Sequence, residues 1–255
     1  MFLRSIQLQI SPDHLWTFRK LYEESMIPEL QNAAGCLYAA LGRSDAAEEE
    51  VLSLALWDEE RSAGLHESKS AFPDLMERSR GYMADSSNYR IHLTPEMQLE
   101  YSPEPRQPIF QSYAVELHTD VSRLLRGTAP MTYLRIVSVR VRPEMAVEFT
   151  RIYEHDIAPT LLALPGCRFN LLVSNTQNRS EHLSITLWDN PQDAGAYEKS
   201  GTFTRLTEKV QHTFSILYQW KLGLQQDPGK KAVTSDDLAV RTYHVLVAKS
   251  MQQVL

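Results

Sequence analysis

A chain that repeats itself without a gap over the length of a small domain is constrained to build that domain twice. Residues 3–67 align with residues 134–198 at a constant offset of 131, and about 20 of about 65 aligned positions are identical. The longest shared phrase is LSLALWD at 52–58, which returns as LSITLWD at 183–189. Arg4/Arg135, Pro12/Pro143, Phe18/Phe149, Tyr22/Tyr153, Pro28/Pro159, Gly35/Gly166 and Cys36/Cys167 fall on the same offset. A length of 255 residues suits two domains of ordinary size. The repeat divides them as 1–129 and 130–255, with the boundary near Ala129.

Each copy reads as the same order of elements. Ile6, Leu8 and Ile10 alternate with Ser5, Gln7 and Gln9, and Val137, Val139 and Val141 with Ser138 and Arg140, which predicts a first strand. Ser11-Pro12-Asp13 predicts a capped helix start, and Leu15, Phe18 and Tyr22 form a stripe at helical spacing. Pro28 and Pro159 predict a kink or an end to that helix. Gly35 and Gly166 predict the turn into a second strand. Polar loops at 42–50 and 174–181 lead to the third strand, where a Leu/Ile row alternates with Ser53, Ala55 and Trp57, or Ser184, Thr186 and Trp188. Asp58 and Asp189 stand where an acid can cap a second helix, expected to run on through Phe203, Leu206, Val210 and Phe214. Beyond it the offset drops to about 123; a fourth strand fits 97–101 and 216–224, and a last apolar segment closes each copy at 112–117 and 242–247. Residues 119–127 read as a short connecting helix.

The order β-α-β-β-α-β is the ferredoxin-like split βαβ arrangement, so the fold class is α+β. Ala55, Trp57 and Ile136 are assigned to the sheet face away from the helices, and such a face is too apolar to stay wet. Two tandem ferredoxin-like domains are therefore expected to cover it for one another as an intramolecular pseudo-dimeric α+β barrel, with further homo-oligomerisation left open.

A net charge of −6 without a basic run argues against a nucleic-acid partner. No apolar run approaches the ~20 residues of a membrane span, and the N-terminus lacks a signal-peptide block, so no membrane partner and a cytoplasmic location are expected. Two cysteines at equivalent positions read as small buried side chains rather than a disulfide framework.

The words Leu164-Pro165-Gly166-Cys167, Leu187-Trp188-Asp189 and Ala194-Gly195-Ala196-Tyr197 resemble the antibiotic biosynthesis monooxygenase-like superfamily of dimeric α+β barrels. The first copy is looser, with Ala34 for the proline and His66 for the tyrosine. The resemblance implies a small-molecule ligand, an aromatic or quinol-type compound, and a monooxygenase activity that needs neither metal nor other cofactor. It places Trp57 and Trp188 on a cavity wall, with Ser53 and Ser184 at a position where relatives carry asparagine. A bound quinol that loses a proton can pass an electron to O2, provided the protein orients it, stabilises the anion and excludes water. Arg135, Tyr197 and His66 are the candidate catalytic groups; Trp188, Trp57, Ser184, Ser53 and Arg4 are the candidate substrate-binding groups. Each has a structural alternative: strand-end Trp as core, paired Arg as ion-pair partners of Asp58 and Asp189, and His66 as a surface helix residue. The departures at Ser53 and Ser184 support a second reading, a non-catalytic small-molecule-binding or stress-related barrel protein. Haem binding or degradation is the least favoured, because no histidine stands at the ligand positions near Glu77 and Thr207, and His212 lies beyond them.

Overall fold

The computed structural model describes residues 1–69, 71–93, 99–119, 132–215 and 238–251. The chain forms two compact units. The first comprises Arg4–Gln111 with Leu246–Leu255, and the second Met1–Leu3 with Ser112–Val245. The fold is α+β and the tandem ferredoxin-like organisation is present in both units.

In the first unit, β1 (Phe2–Gln9) leads through a short 3-10 turn to α1 (Leu15–Leu21) and α2 (Ile27–Gln31). Then come β2 (Cys36–Ser44), β3 (Glu50–Trp57), α3 (Glu60–Glu67) and α4 (Ala71–Arg80), and the sheet order is β1-β3-β2. A separate antiparallel pair follows, β4 (Asp85–Leu93) with β5 (Leu99–Pro105). The segment expected as the fourth strand of the first copy thus belongs in part to β5, whose partner β4 the sequence pattern did not suggest.

Between these and the second copy runs β6 (Ile109–His118). The second unit then builds β7 (Tyr133–Arg140), α5 (Ala146–Ile152), α6 (Ala158–Leu162), β8 (Cys167–Asn175), β9 (Glu181–Trp188), α7 (Pro191–Lys199), α8 (Thr202–Val210) and β10 (Leu238–Ser250). Its sheet runs β10-β7-β9-β8-β6, antiparallel at each junction. β10, which contains the expected closing segment, takes the place beside β7 that a fourth strand occupies in a split βαβ sheet. β6 follows the first copy in sequence yet extends the second copy's sheet, with Tyr113 opposite Asn175. Conversely, the end of β10 serves the first unit: Leu246 O accepts from Arg19 Nε at 3.2 Å, and Met251 N–H donates to Leu37 O at 3.0 Å. The expected strand at 216–224 and nearly all of the expected connecting helix at 119–127 lie outside the described residues.

Three local expectations are corrected. First, of the kink or end expected at Pro28 and Pro159, the end does not occur. A wider turn, Tyr22–Met26 or Tyr153–Ile157, precedes each proline, and the helix resumes as α2 or α6 with the proline in its first turn. Proline has no N–H to give and crowds the preceding turn, and a widened turn just ahead of it accommodates both defects. Second, Asp58 and Asp189 do not cap the second helices. Glu59 and Asn190 hold the cap positions, and only Asn190 makes the side-chain bond, accepting from Asp193 N–H at 2.9 Å. Likewise Ser11 precedes its 3-10 turn without a side-chain cap bond. Third, the long second helix of the second copy is two helices, broken at Gly201 with φ +73°.

The register sets which side chains meet. Arg135 faces Thr186 and Val137 faces Ser184 across β7 and β9, and these residues look toward the helices. Trp188 belongs to the cluster of Phe149, Tyr153, Leu206 and Phe214 on the same side. Ala55 and Trp57 line the equivalent helix-side space of the first unit, which corrects their expected place on the face away from the helices. In the second unit that opposite face carries Leu134, Ile136, Leu171, Ile185 and Leu187, all withdrawn from solvent.

The turn glycines are fixed by both dihedral and space. Gly35 and Gly166 have φ +84° and +76°, and a Cβ would overlap Asp58 and Ser62 in one unit and the Asp193 carboxylate in the other. Gly166→Ala is expected to destabilise the protein by about 1–3 kcal/mol, read as a lower urea midpoint with an unchanged m value; Gly195→Ala, where a Cβ meets nothing, is the matched control.

Candidate active site

Among the described residues, a cavity lies between sheet and helices in each unit, and the two are built from equivalent positions. In the second unit the cavity is floored by Arg135, Val137, Ser184 and Thr186 and roofed by Tyr153, Tyr197 and Phe203. In the first it lies among Arg4, Ser53, Ala55, Trp57, Tyr22 and His66.

The roof is pinned to the floor by a buried phenol. Tyr22 and Tyr153 begin the widened helical turns, and each hydroxyl bonds the serine of the third strand: Tyr22 to Ser53 at 3.0 Å and Tyr153 to Ser184 at 2.6 Å. Asn170 Nδ2 adds a donation to Tyr153 at 2.7 Å. Burial pushes both phenols' pKa well up, more than their hydrogen bonds lower it. Tyr197 is likewise pushed up to about 12 by burial, against the pull of Arg135. At neutral pH these groups are therefore neutral hydrogen-bonding phenols and not bases.

The arginines do not pair with Asp58 and Asp189 as expected. Arg4 makes a two-point pair with Glu67 on α3, at 2.6 and 2.8 Å. Arg135 meets Glu198 on α7 through Nε alone, at 2.9 Å. Asp189 is taken by Arg168, and Asp58 accepts from the Glu59 N–H. The Arg135 side chain is 3% exposed. Its guanidinium lies 4.5 Å from the Phe203 ring centre and 5.2 Å from that of Tyr197, and its Nη2 has no partner among the described residues. A cation desolvated against aromatic faces and holding an open donor is suited to an anionic or strongly polarised ligand atom.

The tryptophans differ. Trp188 is fully buried, donates its indole N–H to Thr186 Oγ1 at 2.8 Å, and is covered by Tyr197, stacked at 5.6 Å. It supports the wall from behind and is absent from the lining of its cavity. Trp57 lines its cavity directly beside His66, ring centres 5.4 Å apart. His66 is not a surface residue: it is 5% exposed. The structure thus brings Arg135, Tyr197 and Ser184 together in one unit, and Arg4, Ser53, Trp57 and His66 in the other, with Trp188 one layer back. Sequence reasoning missed Tyr153, Asn170, Phe203 and Glu198. The identity of Tyr22/Tyr153 and Glu67/Glu198 across the repeat was the available signal, whereas Asn170 has Ala39 as its counterpart and left none.

Comparison with known proteins agrees with this geometry. The family model for antibiotic biosynthesis monooxygenases matches twice, at residues 1–78 and 132–209. The chain belongs to the antibiotic biosynthesis monooxygenase family. Both matches of that family contain the first strand, the widened helix and the cavity floor described above. No curated protein matches the chain. Among solved structures, the chain resembles two proteins each described as a "putative monooxygenase". The one from Lactobacillus acidophilus NCFM has TM-score 0.67 at 14% identity, covering 98% of this chain and 96% of that one. The one from Fusobacterium nucleatum has TM-score 0.67 at 10% identity, covering 98% and 94%. An anthrone oxidase-like protein is similar at TM-score 0.55 and 12% identity, covering 100% and 94%. These likenesses establish a monooxygenase-like fold over the whole chain. Among the described residues, no helix is long and apolar enough to cross a membrane, and no group of three or more His, Cys, Asp or Glu could hold a metal ion. His212, the histidine nearest the haem-ligand positions, contacts Glu148 at 3.1 Å and does not line the second unit's cavity.

Burial pushes the imidazole pKa of His66 and of His182 below its usual 6.5. The unfolded chain takes up these protons as pH falls through that value and the folded chain does not. Their contribution to stability is complete above about 6.5 and declines below it. Urea midpoints are expected to fall between about pH 7.5 and about pH 5.5, and His66→Phe is expected to remove its share of that slope.

Proposed function

We propose that the protein is a cofactor-independent monooxygenase acting on a small aromatic, quinol-type molecule, with the second unit's cavity as the reacting site. The observation that carries this reading is the unpartnered Nη2 of Arg135, a buried cation that lines the cavity and has no second charged group there among the described residues. In that setting an ionised phenol or enol gains far more from the guanidinium than it would in water. The substrate supplies all the electrons: its anion passes one to O2, the resulting radical pair collapses to a C–O bond, and the peroxide so formed takes up a proton and loses water as its O–O bond breaks, leaving one oxygen in the substrate as a carbonyl and the other in water. Arg135 stabilises the oxyanion. Glu198, bonded to the same guanidinium with a half-exposed carboxylate, can relay the proton toward solvent. Tyr197 and Phe203 hold the ring plane, and the Tyr153–Ser184 pair offers a neutral hydrogen-bonding contact at the far wall. Trp188 acts indirectly, by holding Tyr197 in place.

The test is O2 uptake with a dihydroquinone or anthrone as substrate. Arg135→Gln, which keeps length and polarity, is expected to lower kcat by about 100-fold or more, with Arg135→Lys recovering part of it. Uptake equal to that of the wild type in Arg135→Gln would remove the assignment. Undiminished ligand binding without uptake in the wild-type protein would instead favour a non-catalytic binding protein.

A further inference from the structure

A hydrogen bond has a direction, and in the second unit one direction is fixed by a residue behind the cavity wall. Asn170 on β8 is fully buried and absent from the lining of that cavity. Its Nδ2 donates to the Tyr153 oxygen at 2.7 Å. A side-chain amide nitrogen has no lone pair to offer, so this bond runs one way only. The single phenol hydrogen must go elsewhere, and the one acceptor left to it among the described residues is Ser184 Oγ at 2.6 Å. Without that acceptor a buried donor would go unmade, which is costly. Ser184 therefore accepts from Tyr153 and keeps its own hydrogen, for which no acceptor stands among the described residues. Ser184 is half-buried and lines the cavity.

The first unit runs the same pair the other way. Ala39 stands at the counterpart of Asn170 and has no amide to give. The Tyr22 hydroxyl donates to Ala40 O at 3.4 Å, so its bond with Ser53, at 3.0 Å, must take its hydrogen from the serine. Ser53 is left with lone pairs only. We propose that Asn170 is a positioning residue: through Tyr153 it makes Ser184 a hydrogen-bond donor to the ligand, so the second unit's cavity selects a compound with a free lone pair at the end away from Arg135. This rests on the reading of that cavity as the reacting site, with the ionised oxygen at Arg135, and adds what the other end of the ligand must carry. Asn170 touches neither the ligand nor the guanidinium.

Neutron diffraction from deuterated crystals of the full-length protein tests the direction without a ligand or a variant. Deuterium is expected on Tyr153, directed at Ser184 Oγ; deuterium on Ser184 directed at Tyr153 would overturn the proposal. In solution the probes are 4-methoxyphenol and 4-ethylphenol, which exchange an ether oxygen for a methylene. Binding is followed at the methyl NMR signals of Val137 and Thr186, which line this cavity and not that of the first unit. A methylene leaves water more readily than an ether, so the readout is the change in the methoxy-to-ethyl affinity ratio between proteins. Asn170→Leu keeps the volume without the N–H, and Asn170→Ala installs the first unit's residue. Both are expected to lower the ratio about fivefold or more, as is Ser184→Ala. Adding Asn170→Leu to Ser184→Ala is expected to lower it no further. A purely structural role would weaken both probes alike; that result, or a fall in the ratio that recurs in the Ser184→Ala background, would overturn the proposal. No turnover is needed: a wild-type protein that consumes no O2 but shows the ratio change loses the monooxygenase reading and keeps this one, and Arg135-dependent uptake with an unmoved ratio does the reverse.

Discussion

A hydrogen bond from a helical tyrosine to a strand serine, made twice and buried both times, decides whether these units have cavities at all. Tyr22 and Tyr153 stand at the first position of a widened helical turn, and Ser53 and Ser184 at the centre of the third strand. A leucine at the serine position would fill the space and leave the phenol without a partner, at about 1–3 kcal/mol for the unsatisfied hydroxyl. With serine, the helix is held above a floor of small side chains, and the room between them stays open. The proline that follows each widened turn belongs to the same arrangement, since it fixes where the helix must loosen.

From that common plan the two units part by a few substitutions. Thr186 against Ala55 decides whether the tryptophan is satisfied from within; Tyr197 against His66 decides whether it is covered. The arginine is the same residue in both, yet Arg4 pairs with Glu67 at two points and Arg135 with Glu198 at one. The two cavities thus differ in their walls: Thr186 and Tyr197 in one stand where Ala55 and His66 stand in the other.

The fold was legible because it rests on periodicity, and periodicity survives twice in one chain. An alternating strand, a helical stripe and a glycine before the second strand are each weak alone, but their recurrence at one offset removes the ambiguity. The site was only partly legible. Arg4 and Arg135 were visible as a repeated pair, but their partners were not. From the strand, the nearest acid is at the exit of the third strand, and only the helix geometry shows that the guanidinium reaches Glu67 or Glu198 in the last turn of α3 or α7. The break at Gly201 was hidden because Tyr197, Phe203 and Leu206 keep facing the same cavity across it. His66 was misread as exposed because one polar residue on an amphipathic helix carries no sign of its burial. Trp188 and Trp57 look identical in sequence, and the neighbour two residues before each one separates their roles.

The strand that closes the second unit continues into the first. Residues 4–111 and 246–255 make up that first unit, so 134 intervening positions must be polymerised before its last pieces exist. At ~5–20 residues per second this takes on the order of 7 to 27 s. Throughout that interval the nascent segment lacks the backbone partner that Leu37 finds in Met251. Translation order thus imposes a wait on the half made first.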